Sequence, residues 1–336
     1  MPKKTDLADK RETVRPWGPS TTVEALRRRA EIVQQIRGYF ERANVLEVDT
    51  PVLMTHGSPD PAINNFVVEP HAEVPDRLFG FLQTSPEFAM KRLLAAGSGD
   101  IFQLCHAFRA EAPGRHHLAE FTLLEWYRLG FDHHQLMDEV ERLVDGILPG
   151  LTFARRSYAD LFYAGTGLDP HAATNTALAA QAGRSNIELG GSSNDRSTLL
   201  DALFAHVILR DGGSTTATFV YDFPIEHSAY ARIDPGPPAV AQRFELLVSG
   251  IEVANGYFEV VDAEEQTARH HLENARRRNL DLPEIEPDPR FLNALKAGPL
   301  PSCAGVALGV DRLVMLCLQA GSVAAVVSFD AFGPNE

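Results

Sequence analysis

Only three cysteines occur in 336 residues, Cys105, Cys303 and Cys317. Their number is odd, no CxxC spacing exists and each sits among apolar neighbours, so buried free thiols are expected rather than a disulfide framework or a zinc site. Long apolar runs are missing as well. None approaches the roughly 18 residues that would cross a bilayer, and the opening MPKKTDLADKRETVRPWGPS has no signal-peptide core, so a cytoplasmic protein without a membrane segment is expected. Positive charge is scarce: 31 Lys and Arg stand against 45 Asp and Glu, a net charge of −14. A general nucleic-acid binder would carry a basic face or tail instead. There is no GxxxxGK[ST], no GxGxxG after a strand, no GxSxG and no HExxH. Any nucleotide chemistry here needs another fold.

What is present is an ordinary globular composition, 44% hydrophobic and 23% charged, enough to bury one large core. Residues 1–20 read as a flexible leader and 331–336 as a tail around one domain, 21–330. From Thr22, VEALRRRAEIVQQIRGYFERA has helical apolar spacing. LEVDTPVL is a strand candidate interrupted by Pro51, and NNFVVEP and LFGFLQT are two more. SPEFAMKRLLAAG predicts a helix capped by Ser85, with Pro86 at its first position and Gly97 at its end. IFQLCHAFRAE and FTLLEWYRLG predict a hairpin around the polar APGRHHLAE. An amphipathic helix, DHHQLMDEVERLVDGILPG, precedes a motif-poor stretch, 151–240, that reads as an insertion. RFELLVSGIEVANGYFEVVD is a second strand pair about a glycine turn, and DAEEQTARHHLENARRRNLD is a helix.

Several side chains invite chemistry. Arg109 and Glu111 stand two apart on a strand-like segment and so share a face, offering a planar cation beside an acceptor; an exposed ion pair is the plain alternative. Glu245, Glu252 and Glu259 recur every seven residues without evident cations, which suits a hard divalent ion such as Mg²⁺ or, equally, three solvated strand-edge glutamates. Asn255-Gly256 beside them is also a turn signal. Glu87 suits the first turn of a helix. Glu125, inside the apolar LLEWY, needs a partner that a ligand's amine could provide. His116 and His117 flank a loop, while His133, His134, His270 and His271 read as surface residues. The last puzzle is Asp311-Arg312, a charge pair inside the otherwise small and apolar GVALGVDRLVML.

The order of these blocks is specific. VDTP at 48–51 after a helix, FRAE at 108–111 with EFTLLEWY at 120–127, and GVALGVDRL at 305–313 resemble motifs 1, 2 and 3 of the class II aminoacyl-tRNA synthetases. TSPEFAMKRLL and GIEVANGYFE resemble the lysyl branch. Lysyl-tRNA synthetases carry an OB-fold domain before motif 1, and here about 20 residues precede it, so the chain resembles a free-standing catalytic core. CAGVALGVDRLVML and FQLCHAFRAE resemble most closely the elongation factor P lysine lysyltransferase family, lysyl-synthetase paralogues that modify a protein rather than tRNA.

The resemblance implies an α+β fold, a mainly antiparallel sheet flanked by helices, and a homodimer. It implies ATP-dependent activation of lysine or (R)-β-lysine as an adenylate, with Mg²⁺, and transfer to a lysine side chain of elongation factor P. A truncated paralogue that charges tRNA, or makes another lysine-derived amide, is the alternative. Arg109 and Arg312 would be catalytic, Arg109 on the α-phosphate and the substrate carboxylate, Arg312 on the γ-phosphate. Ala110, Glu111, His117, Leu118, Phe121, Val253 and Gly309 would complete the ATP side, with Glu245 and Glu252 as metal ligands. Glu125, Tyr127 and Glu259 would surround the distal ammonium, Ser85, Pro86 and Glu87 the other amine, and Asn255 the carboxylate. Ala307 stands where lysyl-tRNA synthetases usually have glycine, and its methyl suits a pocket reshaped for β-lysine. Leu118 and Ala119 replace the family's usual Asn and Pro, and Tyr257-Phe258 its usual Phe-His.

Overall fold

The computed structural model describes residues 17–69, 79–188, 195–211, 216–298 and 300–330. The leader therefore lies mostly outside the described residues, and the tail 331–336 wholly so. Ser20 is tied down: its amide donates to the Ser328 carbonyl and its hydroxyl accepts from the Asp330 amide.

Helix α1 (Val23–Arg42) begins at its expected cap, the Thr22 hydroxyl accepting from Ala25 N, and buries Ile32, Ile36 and Phe40, four residues apart. Strand β1 (Leu46–Glu47) follows. Pro51 then separates it from β2 (Leu53–Met54), which joins β3 (Val67–Val68) and β4 (Gly80–Leu82) in a small sheet of its own. Next come α2 (Glu87–Ala95), the long antiparallel pair β5 (Ile101–Phe108) and β6 (Glu120–Leu129), and α3 (His133–Ile147), entered through an Asp132–Gln135 capping box.

The stretch read as an insertion holds β7 (Thr152–Ser157), α4 (Tyr158–Thr166), α5 (Asn175–Arg184), α6 (Arg196–Asp211), β8 (Thr216–Pro224) and β9 (Ile233–Asp234). It has its own apolar cluster around Tyr158, Phe162, Leu203 and Phe223, yet β7 and β8 extend the main sheet. Strands β10 (Val240–Val248) and β11 (Ile251–Phe258) meet through Ser249-Gly250, both at positive φ, as a two-residue hairpin turn requires. Helices α7 (Ala263–Asn279) and α8 (Pro289–Ala297) lead to β12 (Cys303–Gly309), which runs directly into α9 (Val310–Cys317).

The large sheet runs β1-β5-β6-β12-β11-β10-β8-β7, with β9 on β10, and is parallel only at β1–β5 and β7–β8. The α+β, mainly antiparallel expectation holds. Strand alternation gives each face a different fate. The cross-strand row Phe102–Trp126–Val306–Gly256–Phe244 packs under α1, α3 and α9 in the main core. Two rows on the other face, Gln103–Glu125–Ala307–Asn255–Glu245 and Ile101–Tyr127–Gly305–Tyr257–Arg243, carry most of the polar side chains of the central strands.

Four expectations need correction. Asn255-Gly256 is no turn. It lies within β11, where a Cβ on Gly256 would run into the Phe244 ring on the core face. Arg109 and Glu111 lie beyond the end of β5 in an irregular segment, where the Glu111 amide donates to the Arg109 carbonyl. His133 and His270 are buried, not surface residues: His133 pairs with Asp222 at 3.3 Å, and His270 Nε2 donates to the Ile285 carbonyl at 2.7 Å. Their neighbours His134 and His271 are exposed. The three cysteines are free, as expected, but only Cys303 is buried; Cys105 and Cys317 are half-buried.

Candidate active site

The polar face of the sheet floors a cavity of about 370 Å³, within the range of small-molecule sites. Of the residues singled out above, Ser85, Glu87, Arg109, Glu111, His117, Leu118, Phe121, Glu125, Tyr127, Glu245, Glu252, Val253, Asn255, Glu259, Ala307, Gly309 and Arg312 line it. Two do not. Pro86, expected at the first helical position after a Ser85 cap, is instead itself the N-cap of α2, which begins at Glu87, and Ala110 is held by its amide donating to the Asn64 carbonyl.

One end of the cavity is acidic and dry. Glu125 is buried, accepting from the Ser85 hydroxyl and from the Tyr127 hydroxyl, each at 2.7 Å. Ser85 also accepts from the Glu87 amide at 3.0 Å, so one hydroxyl both starts α2 and orients the carboxylate. Burial, reinforced by the Glu87 charge, pushes the Glu125 carboxyl up to about 8. Glu259 is equally buried, and burial likewise raises its carboxyl although Lys91 opposes the shift. Gly305 is what lets these groups meet. A Cβ there would run into the Tyr127 ring and stand 2.5 Å from Glu259 Oε1.

The other end is cationic. Arg109 lies over the Phe121 ring, 5.3 Å from its centroid, and its buried Nε has no protein partner. An orphaned guanidinium donor facing a cavity is what an anion would satisfy. Arg312 donates from Nε to the His116 carbonyl at 3.1 Å and from Nη1 to the Glu252 carbonyl at 2.7 Å, which fixes its plane at the cavity wall. Burial, then the nearby Arg312 charge, lowers the His117 pKa, keeping that ring neutral.

The glutamates are not free of cations. Arg243 Nη2 contacts Glu245 Oε1 at 2.5 Å, Arg312 Nη1 stands 3.6 Å from Glu252 Oε2, and Lys91 holds Glu259. Glu259 therefore belongs to the acidic end, away from the other two. Among the described residues no group of three or more His, Cys, Asp or Glu is arranged to hold a metal. Burial still pushes Glu245 up to about 7, with Arg243 lowering and Glu252 raising it. Two carboxylates alone make a partial site, which fits an ion that completes its shell on phosphate oxygens.

The chain matches the model of class II tRNA synthetases (D, K and N) over residues 19–332. It is 43% identical over 316 residues to the elongation factor P--(R)-beta-lysine ligase of Pasteurella multocida (strain Pm70), covering 93% of this chain and 97% of that one. The ligase of the same name from Vibrio cholerae serotype O1 is 44% identical over 319 residues, again 93% and 97%. The chain belongs to this ligase family, within the class II synthetases. The family's departures have visible accommodations here. Ala119 is buried with its carbonyl accepting from the Arg109 amide, and Leu118 packs on the main core. The Tyr257 hydroxyl accepts from Asn255 Nδ2 at 3.1 Å, and Phe258 lies under Arg232.

Sequence reasoning missed Lys91, Arg243, Gly305, Tyr230 and the 57–65 loop. Ser58, Asp60 and Ile63 of that loop line the cavity, and Ser58 and Asn65 clasp its ends through 2.8 and 2.9 Å bonds. Lys91 stands four residues after Glu87 in TSPEFAMKRLL, a helical ion-pair spacing that is its signal, whereas nothing local marks Gly305 within its motif.

Proposed function

We propose that the chain is an ATP-dependent, AMP- and pyrophosphate-forming ligase that activates lysine or (R)-β-lysine and transfers it to a lysine side chain of elongation factor P. The observation that carries this reading is one cavity with buried carboxylates at one end and Arg109 and Arg312 at the other. A diammonium acid fits the first end, and its carboxylate then points to the second.

In the first step a substrate carboxylate oxygen attacks the α-phosphorus of ATP, the bond to the bridging oxygen breaks and pyrophosphate leaves. Arg109 spans the α-phosphate and the incoming carboxylate, and Arg312 takes the γ-phosphate, so both neutralise charge that the step develops. Phe121 and Glu111 hold the adenine, and Gly309, with no side chain, lets backbone approach it. Mg²⁺ on Glu245 and Glu252 would neutralise the triphosphate. In the second step the acceptor ε-amine attacks the acyl carbon, AMP departs and the nitrogen loses a proton. A homodimer and a cytoplasmic location belong to the same reading. Exposed Leu46, Leu53, Val67 and Phe79 support the first; that no described helix is long and apolar enough to cross a membrane is consistent with the second.

The test is to supply ATP, Mg²⁺ and labelled lysine or (R)-β-lysine with either elongation factor P or tRNA. Label on elongation factor P supports the reading, and label on tRNA alone overturns it. Gly305→Ala should raise the KM for the amino acid on the order of 10- to 100-fold, because overpacking at about 1–3 kcal/mol displaces Tyr127 or Glu259. The KM for ATP should stay put; both are read by ATP–pyrophosphate exchange.

The pH dependence has a definite sign. An empty site holds Glu125 largely protonated below about pH 8, whereas an ammonium needs the carboxylate, so binding releases a proton. The KM for lysine should therefore fall as pH rises from 6 to 8, by up to about tenfold per unit if one proton is released. A flat profile would contradict the placement of an amine on Glu125.

A further inference from the structure

The acidic end contains a residue with no place in the reading so far. Lys91, on α2, is completely buried, with Nζ 2.5 Å from Glu87 Oε1 and 2.6 Å from Glu259 Oε2. The Tyr230 ring covers it, 5.0 Å from Nζ to the centroid. Burial would lower its pKa, but the two carboxylates outweigh that and raise it, so it remains an ammonium. It takes one oxygen of each partner.

We infer that Lys91 is a built-in counter-cation that sets the charge of the acidic end so that two ammonium groups, and not one, neutralise it. With substrate bound and the Glu125 proton released, Glu87, Glu125 and Glu259 bring three negative charges, Lys91 returns one positive, and two remain for the substrate. The other charged neighbours are engaged elsewhere, although the Arg232 charge also acts on Glu259. Arg232 donates to the Glu259 carbonyl and the Ser302 hydroxyl, Arg243 to Glu245, and Asp60 across the cavity turns Oδ1 onto the Ala62 amide. Lys91 also acts as a positioning residue. By clamping Oε1 of Glu87 and Oε2 of Glu259 it holds two like charges near each other in a dry site, where otherwise they would share a proton.

The inference rests on the lysine-activating reading, and wild-type exchange driven by lysine or (R)-β-lysine tests that reading separately. For the inference, the readout is the ratio of kcat/KM for lysine to that for 6-aminohexanoate, which lacks one amine. Glu259→Gln leaves Lys91 free to neutralise Glu87, a count of one, and should lower the ratio on the order of 100-fold. Adding Lys91→Met restores the count to two and removes the ion pair whole rather than by half, which a buried site tolerates. The double variant should recover about tenfold or more of the lost ratio. A Lys91 that served only the fold would make the double variant no more selective than Glu259→Gln, and that result overturns the inference. Glu87→Gln and Lys91→Met/Glu87→Gln give the same comparison through the other carboxylate, with the same expected sign and the same overturning result.

Discussion

Arg312→Ala should abolish adenylate formation, with ATP–pyrophosphate exchange falling by on the order of 1,000-fold, while the protein keeps its melting temperature to within a few degrees. The size follows from removing a preorganised cation aimed at charge that develops in the reaction, in a partly dry site. The small stability effect follows from how Arg312 is held. It donates to two backbone carbonyls, of His116 and Glu252, and the carboxylate paired with it among the described residues, Glu252, stands 3.6 Å away and is half exposed. Losing such contacts at a cavity wall leaves no buried charge behind. Normal exchange in the variant would remove Arg312 from the chemistry.

Asp311→Ala, one residue earlier, should do the reverse. Asp311 is buried, its Oδ1 2.6 Å from Arg29 Nη2 and its Oδ2 accepting the Thr122 amide at 2.8 Å, while Arg29 also donates to the Thr122 hydroxyl at 2.7 Å. One carboxylate thus joins α1, β6 and the start of α9. Removing it strands Arg29 and an amide, at a cost of about 3–5 kcal/mol. A lower urea midpoint with residual activity per folded molecule is the expected outcome. A midpoint equal to wild type would show that the three-way junction contributes nothing. The pair, puzzling as adjacent charges in an apolar run, divides in the fold into Arg312 at the cavity wall and Asp311 at a buried three-way junction.

How much was legible can be judged residue by residue. The helix from Thr22 and the strand pair 101–129 follow from periodicity and caps, which are local. Glu125 stands out because LLEWY offers it no cation; in the fold two hydroxyls hold it, Ser85 from 40 residues away and Tyr127 from within LLEWY itself. Asn255-Gly256 misled because a local turn signal was outweighed by the Phe244 ring crossing from the next strand. The glutamates at 245, 252 and 259 read as one cluster because the cations of two of them, Arg312 at Glu252 and Lys91 at Glu259, come from distant helices, while Arg243, two residues before Glu245 on β10, was overlooked.

By itself the sequence determined the element types, the order of the family's blocks and the residue chemistry of both ends of the cavity, since each depends on neighbours a few positions apart or on composition. Only the tertiary structure decided which carboxylate meets which cation, where Gly305 must stay bare, and that Lys91 lies sealed between two acids. Those facts arise from strand register and helix docking, which bring together residues 168 positions apart in the Lys91–Glu259 pair and 178 apart where Gly305 meets Tyr127.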